Sequence, residues 1–307
     1  MSVSYDNMTE QAMIDEGKRL MAAVQNVKLA SQVQDLIQEE CDKAFAKDDA
    51  CPVGTDILYL PDVSQSMLVG GVPAPWDQQL QFVKGVASQA IKYDDGGIDI
   101  WPIYAPSSLE KLSDKEIECK LHVTDPNKAF EYVKGYEDKL GTTPTRKLFS
   151  RLVGDVVEKA IADPIGAKRT LFLISTDGQP DRNGPPMWET TRQAILTLHH
   201  AGLNPTRYIA VSYVILTQDF TTMACYYKLE DNKSWDTEQE YDVANAIFPF
   251  QIKSLGGFDN KTTVNIALGG AVSPAIDTAL ETILGDDAKS LMRLMKVYNK
   301  KGFAKDC

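Results

Sequence analysis

Apolar residues repeat along the chain with two different periods, and the alternation of these periods predicts the order of strands and helices. Three short runs rich in apolar residues, 57–60, 170–175 and 207–216, are continuous, as in strands buried on both faces of a parallel sheet. Between them, residues 76–91 and 148–161 place apolar side chains at helical spacing. This order predicts an α/β fold, a doubly wound and mostly parallel sheet with helices on both faces.

Other elements have weaker patterns. Further strands are predicted at 97–103 and 117–123, and further helices at 126–140, 187–201 and 223–229. Residues 235–250 fit either a helix or a short strand. The segments after residue 268 are expected to be helical, ending with a helix over 287–303.

Both ends of the chain have the pattern of helical extensions. Residues 7–47 contain no proline and a single glycine, Gly17, and the capping-box spacing of Ser31 with Gln34 predicts two helices with a break near Ser31. We expect three parts: a helical extension over 1–50, an α/β domain over 51–285 and a helical tail over 286–307. The extensions either pack on the domain or bind a partner, and packing on the domain is the favoured interpretation.

The sharpest chemical signal follows the first buried run, in the sequence TDILYLPDVSQSM. Here an anion and two hydroxyls, Asp62, Ser64 and Ser66, stand at alternate positions, so all three can turn to one side of an extended loop. Such oxygens suit a small hard cation like Mg2+. The same residue types also make ordinary turns and helix caps. A second acid, Asp177 in STDGQPD, also follows a buried strand, and ligands bind at the carboxyl ends of strands in such sheets.

These loops resemble those of the von Willebrand factor A (vWA) domain with a metal-ion-dependent adhesion site (MIDAS), and the resemblance covers roughly residues 55–284. DVSQSM matches the family's Asp-x-Ser-x-Ser loop, LGTTPTRKL places Thr143 in its second loop, and LISTDG places Asp177 in its third. The chain departs from the family at Pro61, before the metal aspartate, and at Gln65, where many members have glycine. Two neighbouring threonines, Thr142 and Thr145, are alternatives to Thr143.

The resemblance implies a Rossmann-like fold and one divalent cation, Mg2+ or alternatively Mn2+ or Ca2+. Its implied ligands are Asp62, Ser64, Ser66, Thr143 and Asp177.

Hydroxyl ligands are neutral, so such a cation keeps positive charge and an open position that attracts an outside carboxylate. The sequence therefore predicts a module for protein–protein interaction that binds a partner's Asp or Glu side chain. The alternative is an assembly subunit, capable of self-association, in which the metal stiffens the loops and the helical extensions make the contacts. No nucleophile-elbow motif accompanies the serines, and His199 and His200 fall late in a helix, so we do not expect an enzyme.

Composition and charge restrict the classes of partner and the compartment that we expect. The chain has 307 residues and a net charge of -11, which disfavours nucleic acid and anionic membrane surfaces. No apolar run has the length of a membrane span, and the first residues do not form a signal sequence. Five scattered cysteines without a CxxC pair indicate neither a disulfide framework nor a zinc site. These features predict a cytoplasmic protein.

Overall fold

The computed structural model describes residues 5–24, 31–46, 53–69, 73–104, 119–139, 141, 144–178, 184–230, 237 and 239–304. The fold over these residues is α/β, as the hydrophobic pattern predicts. Its strands are β1 Thr55–Pro61, β2 Ile98–Ile100, β3 Lys120–Val123, β4 Arg169–Thr176, β5 Ile209–Ile215 and β6 Ala244–Ile247. Its helices are α1 Glu10–Ala23, α2 Ser31–Phe45, α3 Pro75–Ala90, α4 Pro126–Lys134, α5 Thr145–Ala162, α6 Met187–His200, α7 Phe220–Glu230, α8 Pro249–Leu255, α9 Lys261–Gly269, α10 Pro274–Ile283 and α11 Asp286–Lys300.

The strands form one sheet in the order β3-β2-β1-β4-β5-β6, in which only β3 is antiparallel to its neighbour. The chain moves from β1 outward to β2 and β3, and then returns to the other side of β1 with β4. This reversal makes the β1–β4 pair the topological switch point, where sheets of this kind bind ligands. Pro61 pairs with Ser175, so the carboxyl ends of β1 and β4 lie side by side.

The segment 235–250 contains the short strand β6, one of the two forms expected for it, and α8 begins at Pro249. Two differences from the predicted elements have physical reasons. Helix α4 ends at Lys134, well before residue 140, and Gly135 forms its C-cap. Helix α9 was not predicted, because its residues from 262 to 269 are all buried and such a helix has no polar face to create an amphipathic period.

Both helical extensions pack against the α/β domain. Helix α1 contacts α7 and also α11, α2 contacts α9 and α10, and α11 of the C-terminal extension contacts α7. The buried residues of α1 and α2 belong to the main hydrophobic core: Met13, Leu20, Ile37, Cys41 and Phe45. The Phe45 ring stacks on that of Tyr93 with 4.6 Å between centroids. Packing on the chain's own domain, the favoured interpretation, is therefore what the structure has.

Gly17 allows the close approach of α1 to α7. A Cβ atom at Gly17 would overlap the ring of Phe220, which is fully buried in the core and packs edge-on against Tyr298. We therefore expect Gly17→Ala to lower the free energy of unfolding by about 1–3 kcal/mol, the usual cost of overpacking. The matched control is Gly154→Ala in the middle of α5, where an added Cβ meets nothing within 4 Å.

Gly154→Ala should instead raise the free energy of unfolding by about 0.5–1 kcal/mol, because alanine is the better helix former. Urea denaturation of both variants measures the difference. Equal effects of the two substitutions would contradict the close packing at Gly17.

No helix among the described residues is long and apolar enough to cross a membrane. The spacing of the cysteines does not indicate a disulfide framework, and Cys225, buried in α7, is nevertheless disulfide-bonded. Cys41 and Cys119 are free.

Candidate metal centre

The first predicted loop begins where β1 ends. The backbone N–H of Asp62 still donates to the carbonyl of Ser175 in β4, at 2.9 Å, so this aspartate is held at the end of the sheet. Its Oδ1 accepts a hydrogen bond from the backbone N–H of Ser64, at 2.9 Å. The hydroxyls of Ser64 and Ser66 lie 2.8 Å apart, but the loop is not extended throughout as expected, because Ser66 lies in a short 3-10 helix, Gln65–Leu68.

The third predicted loop meets the first across the switch point. Ser66 Oγ donates to Asp177 Oδ1 at 3.0 Å, and Thr176 Oγ1 donates to Asp62 Oδ2 at 2.6 Å. Both contacts join residues more than a hundred positions apart in the sequence. Four of the five predicted metal ligands are therefore brought together by the carboxyl ends of two neighbouring strands.

The second predicted loop is described only at its edges. Thr143, the fifth predicted ligand, and its alternative Thr142 lie outside the described residues. Before them, the backbone N–H of Gly141 donates to the carbonyl of Val63 at 3.2 Å, and Gly141 forms an isolated parallel bridge with Ser64. After them, the other alternative, Thr145, is the first residue of α5 and is buried. The described edge at Gly141 is thus attached to the first loop.

A buried polar network beneath the loops was not anticipated from the sequence. Gln79, in α3, is fully buried; its amide donates to the carbonyl of Asp62 at 2.8 Å and accepts from Ser175 Oγ at 2.7 Å. Tyr59 OH lies 2.8 Å from the same Ser175 hydroxyl. Gln79 stands between apolar residues on the buried face of an amphipathic helix, and that position was the available signal. The network fixes the backbone of Asp62.

The electrostatics of the site disfavour two negative charges. Burial, with a contribution from the neighbouring Asp177, raises the pKa of Asp62 from 3.8 to about 6, although the hydrogen bonds from Thr176 and Ser64 act in the opposite direction. Burial also raises the pKa of Asp177. A bound divalent cation would offset both costs, because it favours the ionised carboxylates.

This raised pKa predicts how stability depends on pH in EDTA. The folded protein holds the Asp62 proton more tightly than the unfolded chain, so the contribution to stability is fully present below about pH 4 and is lost as the pH rises through about 6. Asp62→Asn removes this titration and should be more stable than the wild type at pH 7.5, by on the order of 3 kcal/mol.

At pH 4 the two proteins should have similar stability, which urea denaturation at both pH values measures. A wild type that is as stable as Asp62→Asn at pH 7.5 would contradict the assignment of the raised pKa.

The donors fit a small, hard, octahedral cation. Two adjacent ligands of Mg2+, each about 2.1 Å from the ion, are about 3.0 Å apart. The separations between Ser64 Oγ and Ser66 Oγ, 2.8 Å, and between Ser66 Oγ and Asp177 Oδ1, 3.0 Å, are of that size. Within the described ranges, no group of three or more His, Cys, Asp and Glu side chains could hold a metal ion.

Comparison with known proteins adds little to this geometry. No protein-family model matches the chain, and no curated protein matches its sequence. Similar solved structures include proximal thread matrix protein 1 from the mussel byssus, with 16% sequence identity, 71% of this chain covered and a TM-score of 0.36. Another is the pilus adhesin SpaC from Lactobacillus rhamnosus GG, with 12% identity, 75% covered and a TM-score of 0.37. This chain spans 49% and 31% of those two chains, and likeness at this level carries no functional argument.

Proposed function

We propose that this chain is a divalent-cation-dependent interaction module of the vWA type, which binds a carboxylate of a protein partner through a metal at a MIDAS. The proposed ligands are Asp62, Ser64, Ser66, Thr143 and Asp177, and the proposed ion is Mg2+, with Mn2+ or Ca2+ as alternatives. One observation carries the proposal: at the switch point of the sheet, Ser66 Oγ lies 2.8 Å from Ser64 Oγ and 3.0 Å from Asp177 Oδ1.

The charges of these ligands support a carboxylate partner. Asp62 already accepts hydrogen bonds from Ser64 N and Thr176 Oγ1, so its oxygens are partly satisfied by the protein. The remaining contacting groups are neutral hydroxyls and one further acid. The two carboxylates balance the charge of a divalent ion and the other ligands are neutral, so an open position remains at which a hard, anionic oxygen is the preferred next ligand.

The assembly alternative is less favoured. It requires the helical extensions to offer apolar surface to a partner, whereas α1, α2 and α11 bury their apolar residues against α7, α9 and α10 of the same chain.

An enzymatic function has no support either. His199 Nδ1 lies 2.8 Å from Tyr241 OH, within hydrogen-bond distance. His122 is exposed on the edge strand β3 and lies beside Asp99 of β2. Neither histidine is thereby coupled to Ser64 or Ser66.

A capture experiment tests the proposal. Immobilised full-length protein is incubated with lysate of the source organism in Mg2+ or in EDTA, and captured proteins are identified by mass spectrometry. We expect one set of proteins to bind in Mg2+ and to be lost in EDTA. Ser66→Ala should weaken the same binding by at least about tenfold, because Ser66 lies between Ser64 and Asp177.

The matched control is Ser88→Ala, which removes an exposed hydroxyl from α3. This variant should bind as the wild type does. Association that persists in EDTA, with only the melting temperature lowered, would contradict the proposal and favour a structural metal.

A further inference from the structure

Two cavities next to the candidate metal centre form one groove. The first, about 280 Å3, opens beside Asp177 and is also lined by Asp219. The second, about 360 Å3, is lined by Phe250 and Phe258. The two cavities adjoin each other, because they share three lining residues: Gln78, Gln218 and Pro249. We call the pair the α3 groove.

The course of the groove along α3 gives its length. Pro75 lines only the first cavity, Gln78 lines both and Gln81 lines only the second. These residues are three positions apart on one helix, so the groove follows α3 for about 9 Å. An extended peptide covers that distance in about three residues.

The chemistry of the groove changes along this course. Near the metal centre it is acidic: burial alone would raise the pKa of Asp219, but hydrogen bonds from Thr221 Oγ1 and Thr222 N hold it below its ordinary value, so this carboxylate stays charged. A second acid of the partner would be repelled there.

The middle of the groove carries the amides of Gln78 and Gln218, and amides suit a peptide backbone because they both donate and accept. Gln78 already uses its amide nitrogen to donate to the carbonyl of Pro73 at 2.7 Å, so its amide oxygen is the group that faces no such contact with Pro73. The second cavity has a mixed lining: Met21, Ile252 and the two phenylalanines supply apolar surface, and Gln81 and Lys253 add polar groups.

From this arrangement we infer that the α3 groove binds an extended segment of the partner, whose carboxylate reaches the metal while an apolar side chain about three residues away fills the second cavity. The inference rests on the proposed function and adds a requirement to it. The metal accepts any accessible carboxylate, whereas the groove selects those with an apolar neighbour at the correct spacing.

Synthetic peptides test the inference without knowledge of the partner. Fluorescein-labelled peptides in a Gly-Ser background carry one aspartate, with a leucine three positions before it, three positions after it, or nowhere. Fluorescence anisotropy with the full-length protein in Mg2+ measures their affinities. We expect one of the two leucine peptides to bind about tenfold more tightly than the peptide without leucine, because a leucine side chain leaves water.

A variant in which a bulky side chain fills the second cavity tests whether the leucine binds there. Ala22 is exposed near the end of α1 and lines the second cavity, so Ala22→Trp fills that cavity without entering the core. This variant should lose the tenfold gain from leucine and keep the Mg2+-dependent binding of the peptide without leucine. Ala275→Trp, at an exposed position of α10 outside the groove, should keep both.

Failure of the inference and failure of the proposed function are distinguishable. If all aspartate peptides bind equally in Mg2+, or if the leucine gain persists in Ala22→Trp, the groove is not the site and the proposed function stands. The asparagine control peptide carries asparagine in place of the aspartate. If the aspartate peptides show no more Mg2+-dependent binding than this control, both the inference and the proposed function are overturned.

Discussion

Replacing Asp62 with alanine should abolish the rise in melting temperature that Mg2+ produces in the wild type. A ligand that binds only the folded state stabilises it by mass action, and Mg2+ at 100 times its Kd contributes about 2.7 kcal/mol. Asp62 is 3% exposed, adjoins Ser64 and is held by Thr176, so its carboxylate is the fixed anion of the first loop. Without it the hydroxyls lack the charge that attracts the ion.

The same strand offers a matched control. Asp56 lies near the amino end of β1, whereas the metal loops follow the carboxyl ends of the strands. It pairs with Lys168 at 2.6 Å in an exposed ion pair. Such surface pairs contribute about 0–1 kcal/mol, so Asp56→Ala should lower stability little and keep the whole response to Mg2+. Differential scanning fluorimetry across a Mg2+ titration compares the three proteins.

Two results would contradict the metal assignment. One is the absence of any Mg2+-dependent shift in the wild type. The other is a shift of equal size in Asp62→Ala, which would mean that Mg2+ acts elsewhere on this acidic chain. Because removing a buried acid can itself stabilise the metal-free protein, the difference between Mg2+ and EDTA, and not the absolute melting temperature, is the relevant quantity.

The sequence predicted most of the site because its chemistry is local. Asp62, Ser64 and Ser66 lie within five residues of one another on one loop, so their proximity needs no distant element, although Ser66 lies in a 3-10 helix and not in the extended backbone that we expected. The meeting with Asp177 follows from a general property of parallel sheets, that neighbouring strands end at the same edge. These steps need only local pattern and topology.

What could not be predicted depends on packing between distant elements. The hydrogen bonds of Gln79 to Asp62 and Ser175 need the position of α3 over the sheet, which periodicity alone does not give. Helix α9 is buried on every side and so has no amphipathic pattern. The disulfide of Cys225 needs spatial proximity, which the spacing of cysteines in the sequence does not report.

Deletion of residues 1–47 should cause the remaining protein to aggregate. Burying each large apolar side chain contributes about 1.5–3 kcal/mol, and α1 and α2 contribute Met13, Leu20, Ile37 and Phe45 to the core. Their combined loss is comparable with the whole stability of a typical domain, about 5–15 kcal/mol. It also leaves bare the faces of α7 and α9 that these helices cover.

Substitutions at two adjacent residues of α2 distinguish two roles of this helix: packing on its own domain and contact with another molecule in an assembly. Ile37 is fully buried, whereas Leu36 is 44% exposed. If α2 serves its own domain, Ile37→Asp should aggregate as the deletion does, because an unpaired charge enters the core, and Leu36→Asp should remain folded and monomeric. Size-exclusion chromatography with light scattering measures the mass of each variant. The opposite result is a protein of residues 1–307 that self-associates, together with a soluble Leu36→Asp variant or a soluble deletion that does not. That result would show that the exposed face of α2 makes the assembly contact.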